Sequence, residues 1–237
     1  MEDNQLVSVI IPVFNYERYL AEAVESALNQ THRALEVIVV DDGSTDRSGE
    51  VAKSFAGRGV RYRLQQQAGI GPARNTGVAM AQGEYFAFLD ADDRWPLNKT
   101  ELQLRAFAAD PGLDMAFGQA VQLHDGPEWE AGVKNQDLAG ANLVPGMIPG
   151  SFIVKRSSFQ RVGEFPGGMK LGEFIDWYSR AMALELRSVT LPDLCLWRRI
   201  HDSNTGVRER QSRSDYARVL KAALDRRRAE EGKSAKS

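Results

Sequence analysis

The 237-residue chain has one cysteine, Cys195. A single thiol excludes a disulfide within the chain and any zinc site built on several cysteines, and it fits a reducing cytoplasm. Long apolar runs are also missing. The longest near the start, Val7 to Phe14, falls far short of the roughly 20 residues that span a bilayer. The opening residues, MEDNQ, are acidic and lead straight into an apolar stretch, so a signal peptide is not expected. An excess of one charge is absent too. The formal net charge of −2 gives no field that would hold nucleic acid by its phosphates. There is no internal repeat and no long low-complexity tract. What remains, 43% hydrophobic and 26% charged residues, is the composition of a soluble globular protein of one large domain or two small ones.

The period of the apolar residues changes along the chain. "LVSVIIPVF" reads as a strand buried on both faces, as in a parallel sheet. "ERYLAEAVESALNQ" follows with helical spacing. "LEVIVV" is a second buried strand, ending in "DDGSTDRSGEVAKSF", where Gly43 turns the chain and Ser44 to Asp46 supply caps. "VRYRL" predicts a third strand. "GPARNTGVAMAQG" predicts a helix with Pro72 near its start and Gly83 past its end. "EYFAFLD" is a fourth strand, "PLNKTELQLRAFAAD" a helix, and "MAFGQAVQL" a fifth strand. This alternation predicts an α/β fold, a mostly parallel central sheet with right-handed crossovers and helices on both faces.

Ligands of such sheets bind beyond the carboxyl ends of the strands. Polar residues collect there: Pro12, Val13 and Asn15 after strand one, Asp41 and Asp42 after strand two, and Asp90, Asp92 and Asp93 after strand four. The turn after strand one, "PVFNYERYL", lacks the glycines of a dinucleotide site and the lysine of a P-loop. A divalent cation on the aspartates is the obvious substitute, because carboxylates and phosphate oxygens are hard ligands that suit Mg²⁺ or Mn²⁺. Asp-x-Asp at a strand end can aim one carboxylate at a metal and the other at a sugar hydroxyl.

Four segments carry a resemblance: "VSVIIPVFNYERYLAEAVESALNQT", "LEVIVVDDGSTDRS", "GPARNTGVAMAQGEYFAFLDADDRWPLNKTELQ" and "GEFIDWYSRA". In order and spacing the chain resembles glycosyltransferase family 2, from Val7 to Gln103 and more loosely to His201. The resemblance implies a GT-A fold and a nucleotide-diphosphate sugar donor, with UDP-sugars the commonest. It also implies Mn²⁺ or Mg²⁺ and inversion at the anomeric carbon. By position it implies that Pro12, Val13 and Asn15 line the nucleotide and that Asp41 and Asp42 meet the base. Arg74 would help hold the nucleotide, Asp90 would lie near the ribose and donor sugar, and Asp92 would bind the metal. Other readings stay open. Asp41 or Asp42 could cap a helix, Arg74 could be a surface residue, Asp93 could support its turn or cap the next helix, and Trp95 and Trp129 could be packed aromatics rather than sugar platforms.

The acceptor half is expected from 124 to 205, after a nucleotide-sugar half from 1 to 123. The stretch from His124 to Pro149 is rich in Gly, Pro, Asn and Asp and reads as an irregular lid or binding loop. In "LGEFIDWYSRAMALEL" the family has Glu-Asp-x-Asp, with the second carboxylate as base. Here that position is Phe174. Asp176, then Glu173, are the candidate replacements; the alternative for Asp176 is an i,i+4 pair with Arg180. In "CLWRRIHDSNTG", His201 is a candidate metal ligand and Arg198 and Arg199 candidate phosphate clamps. From Gly206 the tail has ten Lys or Arg against five Asp or Glu and an apolar stripe from Tyr216 to Leu224. It reads as a basic helix docked on the domain or on a second subunit of a homodimer, or else as peripheral contact with an anionic inner membrane face. The acceptor, a glycan, lipid, peptide or small molecule, is left open. A nucleotidyltransferase is the weaker alternative, because its glycine-rich basic loop after strand one is missing. A sugar-nucleotide-binding protein without turnover is the alternative that Phe174 supports.

Overall fold

Seven consecutive residues with no exposed side chain make the first strand, β1 (Val7–Val13). A segment apolar on both faces satisfies its backbone only in the middle of a sheet, and that is where β1 lies. The computed structural model describes residues 5–135, 143–169, 171–202, 204 and 221. After β1 come α1 (Leu20–Leu28), β2 (Leu35–Asp41), α2 (Ser48–Ser54), β3 (Arg61–Leu64), α3 (Ile70–Met80), β4 (Tyr85–Phe88), α4 (Lys99–Ala109) and β5 (Met115–His124). They are followed by α5 (Pro127–Asn135), β6 (Val144–Pro145), β7 (Ile153–Lys155), α6 (Arg156–Val162), α7 (Glu173–Ala183) and β8 (Ser188–Ile200).

The sheet runs β3-β2-β1-β4-β7-β5-β6, with β8 paired to β5. β1, β2, β3 and β4 are mutually parallel, and β8 is parallel to β5. β7 is antiparallel to both β4 and β5 and joins them. The expected α/β fold, mostly parallel with helices on both faces, is the one found. One core packs Leu20, Val24, Phe107 and Leu104 of α1 and α4 on one face of the sheet. On the other face Phe86, Phe88, Phe117, Phe152, Phe159 and Trp177 form an aromatic core under α3, α6 and α7. Close approach of α3 to β1 depends on Gly77: a Cβ there would lie 2.4 Å from Ile10 Cγ2. That approach sets the depth at which α3 delivers Arg74.

Two expectations are corrected. The stretch from His124 to Pro149 is not irregular throughout, since α5 occupies Pro127–Asn135. Its signal is short: Trp129 and Val133 pack down, onto Val121, Leu123, Leu194 and Trp197. The helix expected from Pro96 begins at Lys99. The basic tail lies outside the described residues apart from Asn204, which precedes it, and Lys221. No helix among the described residues is long and apolar enough to cross a membrane.

Candidate active site

β1, β2 and β4 are parallel neighbours, so their carboxyl ends share one rim. Asn15, in the left-handed region at φ 59°, ties the first two ends together. Its Oδ1 accepts from the Thr45 N–H at 2.8 Å, and its own N–H donates to Ser44 Oγ at 3.0 Å. Pro12 and Val13 are buried in β1 beside it. Asp41 and Asp42 are buried, and neither caps α2. Asp41 accepts from the Ser44 N–H and the Tyr62 hydroxyl, at 2.8 and 2.9 Å. Asp42 accepts from Gln65 Nε2 and from the Ala68 and Gly69 N–H groups, at 2.7 to 2.9 Å. Asp46, in the turn ahead of α2, accepts from the Ser48 N–H.

Arg74 is no surface residue; it is 1% exposed. Its Nη2 donates to Asp90 Oδ1 at 2.8 Å and its Nη1 to Glu173 Oε1 at 2.5 Å. The guanidinium therefore clamps the end of β4 to the first turn of α7. Burial pushes the Asp90 carboxyl above its ordinary range and Asp92 adds to that, while Arg74 opposes both. Burial, Asp92 and Asp90 together raise Asp93 well above the usual carboxylate range. Crowded carboxylates favour protonation or a neighbouring cation, and Arg74 is the cation on one side.

On the other side Asp92 meets two residues from beyond β8. His201 Nε2 lies 3.1 Å from Asp92 Oδ2, and Asn204 Nδ2 donates to the same oxygen at 3.0 Å. The imidazole packs against the rings of Tyr19, at 4.7 Å between centroids, and Tyr16, at 5.9 Å. No cluster of three or more His, Cys, Asp or Glu suited to a metal occurs among the described residues.

Arg199 does not face phosphates. It is buried, and its guanidinium lies over Trp129 at 3.8 Å and Tyr19 at 4.6 Å. Its Nη1 donates to Asp125, its Nη2 to Glu22 and its Nε to the Asp92 carbonyl, while its backbone N–H donates to Asp93 Oδ1. Asp93 is thus anchored to β8 and caps no helix. Strand alternation turns Arg198 the opposite way, half-exposed and close enough to Asp93 to lower its pKa. Trp95 and Trp129 are both 3% exposed and packed.

On α7 the two candidate bases diverge. Glu173 joins Arg74 and Asp90, whereas Asp176 Oδ2 accepts from Arg180 Nε at 2.9 Å. Arg180 in turn donates to the Val162 and Glu164 carbonyls, on the α6 side of the helix. Phe174 is 6% exposed and packs with Phe117, Phe152, Trp177 and Tyr178.

The model of the family described as "Glycosyl transferase family 2" matches residues 8–163. The chain belongs to this family. An uncharacterized glycosyltransferase of Rickettsia typhi is 30% identical over 212 residues, covering 84% of this chain and 65% of that protein. Glycosyltransferase GlyG of Streptococcus pneumoniae is 30% identical over 204 residues, covering 85% of this chain and 61% of that one. The chain thus spans less than two thirds of either relative. Among solved structures, S. aureus TarS 1-349 in complex with UDP superposes with a TM-score of 0.71 at 20% identity, covering 93% of this chain and 65% of that one. Mannosyltransferase PcManGT from Pyrobaculum calidifontis, in complex with GDP-Man and Mn²⁺, gives 0.63 at 22% identity, covering 85% and 59%. At such identity the likeness shows the fold, which is GT-A.

Some neighbours of this family-2 rim were not singled out as site residues from sequence: Asn204, Tyr19, Glu22 and Asp125. Tyr19 and Glu22 hide in a helical pattern. Asp125 sits in a turn-like run. Asn204 alone carries a signal, three residues past His201 in "IHDSN".

Proposed function

We propose that the protein is a metal-dependent, inverting glycosyltransferase that moves a sugar from a nucleotide-diphosphate donor, with a UDP-sugar preferred, to an acceptor. The observation that carries this reading is the meeting of Asp92 and His201 across 109 residues of sequence, at 3.1 Å, beside the Arg74 clamp on Asp90 in a family-2 chain. The rim would seat the nucleotide on Pro12, Val13, Asn15, Asp41 and Asp42, with Asp90 near the ribose and donor sugar. PcManGT, whose structure holds GDP-Man and Mn²⁺, and TarS, whose structure holds UDP-GlcNAc, support a nucleotide-sugar donor. The single buried cysteine supports a cytoplasmic location.

The donor set suits the metal. Asp92 offers a hard carboxylate and His201 a borderline imidazole, a pair that favours Mn²⁺ over Mg²⁺. With two protein ligands, the remaining positions would fall to diphosphate oxygens and water. When bound, the cation supplies neutralisation of the departing diphosphate.

In the transfer an acceptor oxygen loses its proton as it bonds to the anomeric carbon, and the bond from that carbon to the diphosphate breaks. A carboxylate must take the proton. Of the two on α7, Glu173 is the one held at Asp90. Arg74 engages its Oε1 and leaves Oε2 to receive the proton. Asp176 stands second, turned toward Arg180.

Phe174 favours one other reading. With an aromatic core residue where the family carries its base, the protein could bind a sugar nucleotide without turning it over. Calorimetric titration of UDP, GDP and dTDP, each with and without Mn²⁺, on wild type and Asp92→Ala tests the first reading. One nucleotide should bind only with Mn²⁺ and lose that binding in the variant. Binding of none by a folded protein would overturn it. Metal-dependent binding with no turnover of any donor would establish the second reading instead.

A further inference from the structure

His201 brings to Asp92 an imidazole that must be aimed. A metal held by a histidine lies near the plane of the ring, on the lone pair of the ligating nitrogen, so the tilt of the ring matters as much as its distance. Contacts of Nε2 with Asp92 Oδ2 and Asn204 Nδ2 locate that one atom. Packing on the ring sets the tilt of its plane.

Two tyrosines pack there. The Tyr19 ring lies 4.7 Å from the imidazole centre at an interplanar angle of 31°, and Tyr16 meets it edge-on at 5.9 Å and 73°. Both separations are ones at which aromatic pairs attract beyond their buried area. The two tyrosines are 6.1 Å apart, on the turn that leads into α1. The Tyr19 N–H donates to the Tyr16 carbonyl, and the Tyr16 N–H donates to Ser48 Oγ. The rings therefore rise from a fixed backbone.

Tyr19 is also held at its far end. Its hydroxyl donates to Asp125 Oδ2 at 3.1 Å, and Asp125 is itself paired with Arg18 and Arg199. The guanidinium groups of Arg199 and Arg18 lie 4.6 and 5.1 Å from the centre of the Tyr19 ring. These groups line a cavity of about 570 Å³ between α1 and α5. Tyr19 itself is 6% exposed, so its ring is no platform for a base or a sugar. What it touches at the site is His201. Arg199 meanwhile holds the Asp92 carbonyl and the Asp93 carboxylate. One carboxylate, Asp125, thus fastens both the ring against His201 and the arginine that steadies the Asp92 turn.

We propose that Tyr19 is a positioning residue for the cation site: its ring, anchored at the hydroxyl by Asp125, sets the plane in which His201 offers Nε2 to a metal beside Asp92. The proposal rests on the metal-dependent reading of the site and adds to it a residue that acts through His201.

Mn²⁺ is paramagnetic, which gives a readout other than turnover. In electron paramagnetic resonance of the full chain with UDP, the signal of unbound Mn²⁺ gives the Kd. Echo-envelope modulation from a bound imidazole nitrogen shows whether His201 is a ligand. Wild type should show that modulation, and His201→Ala should lack it. Tyr19→Met and Tyr19→Leu fill much of the same space without an aromatic face. Each should weaken the Mn²⁺ Kd about tenfold, the lower end of what losing an orienting neighbour costs a metal site. Each should also diminish the nitrogen modulation at saturating Mn²⁺. Tyr19→Phe keeps the ring and loses the bond to Asp125. It should keep the modulation and weaken the Kd about threefold, and it carries the test should the other two variants fail to fold. Loss of modulation in Tyr19→Phe would assign the role to the hydroxyl and overturn the proposal. Full modulation in Tyr19→Met and Tyr19→Leu overturns it too, whatever their Kd, because a merely structural loss weakens binding without taking the imidazole off the metal. The two readings fail separately. Mn²⁺ binding that Asp92→Ala abolishes, with no nitrogen modulation in wild type, removes His201 as a ligand and the role of Tyr19 with it, and leaves the donor reading standing. No binding of Mn²⁺ with UDP by wild type removes the metal-dependent reading itself.

Discussion

Two buried arginines flank the same turn, Asp90 to Asp93, and they do different work. Arg74 comes from α3, which covers the aromatic core, and meets two carboxylates, Asp90 and Glu173, that both belong to the candidate site. Arg199 comes from β8 and meets Glu22 and Asp125, which line the neighbouring cavity. Only its Nε and backbone N–H reach the turn. Arg74 thus sets the positions of groups that would touch substrate. Arg199 fixes the shape of the loop that carries Asp92. A buried arginine at an active-site rim is therefore not evidence of a phosphate clamp; its partners decide.

The comparison breaks most clearly in stability. Arg74→Met strands Glu173, whose side chain is 10% exposed, beside Asp90. Removing one partner of a buried pair costs about 3–5 kcal/mol. The partners of Arg199 are somewhat wetter, at 16% exposure for Asp125 and 40% for Glu22 against 10% for Glu173 and 33% for Asp90. Solvent screens such charges, so Arg199→Met should cost about 1–3 kcal/mol. Urea unfolding of both variants gives the order, and an equal or reversed cost would refute the distinction. Adding Glu173→Gln to Arg74→Met should recover part of the loss, because it removes the stranded charge.

A third buried cation sharpens the contrast. Lys99 is 0% exposed and forms no salt bridge among the described residues. Its Nζ donates to Gln103 Oε1 at 2.7 Å and sits 4.1 Å from the centre of the Trp95 ring. Burial pushes its pKa down to about 7, with Cys195 slightly opposing. The folded value lies below the unfolded one, so between pH 7 and the ordinary lysine range the unfolded chain binds the extra proton. This group's contribution to stability is lowest below pH 7 and rises through that window. Between pH 7 and 8 the gain should be about 1 kcal/mol. Urea unfolding of wild type against Lys99→Met should show the difference as a slope that the variant lacks. Parallel pH profiles would mean that Trp95 and Gln103 keep the ammonium charged.

Much of this was legible in sequence because strands buried on both faces leave an uninterrupted apolar signature, as in β1, β2 and β4. The rim followed, since parallel strands bring their ends together and the Asp-x-Asp closes one of them. Arg74 was singled out from its place in "GPARNTG", but its partners were not. A helix pattern shows the face a residue occupies and not the carboxylate from 99 residues later that pairs with it. Arg199 was misread for the same reason: "RR" before "IH" looks like a phosphate clamp, and only the structure shows one guanidinium sealed under Trp129 and Tyr19. β7 and β8 were missed because a three-residue strand has no period, and because β8 is exposed along its first half.

The smallest expected effect decides which carboxylate on α7 belongs with the arginine clamp. Asp176 and Arg180 form an i,i+4 pair, with side chains 14% and 23% exposed. Such a pair contributes about 0.3–1 kcal/mol, so Asp176→Asn should barely change the unfolding midpoint. Its turnover at saturating donor should match wild type, to an acceptor or to water, because the geometry turns Asp176 toward α6. Glu173→Gln should lose turnover while keeping nucleotide affinity, since the amide still accepts from Arg74 but cannot take a proton. Loss of turnover in Asp176→Asn with nucleotide binding intact would move the base to Asp176. The Arg74–Glu173 pair would then be a strut between the two halves of the site, and the two arginines would be alike after all.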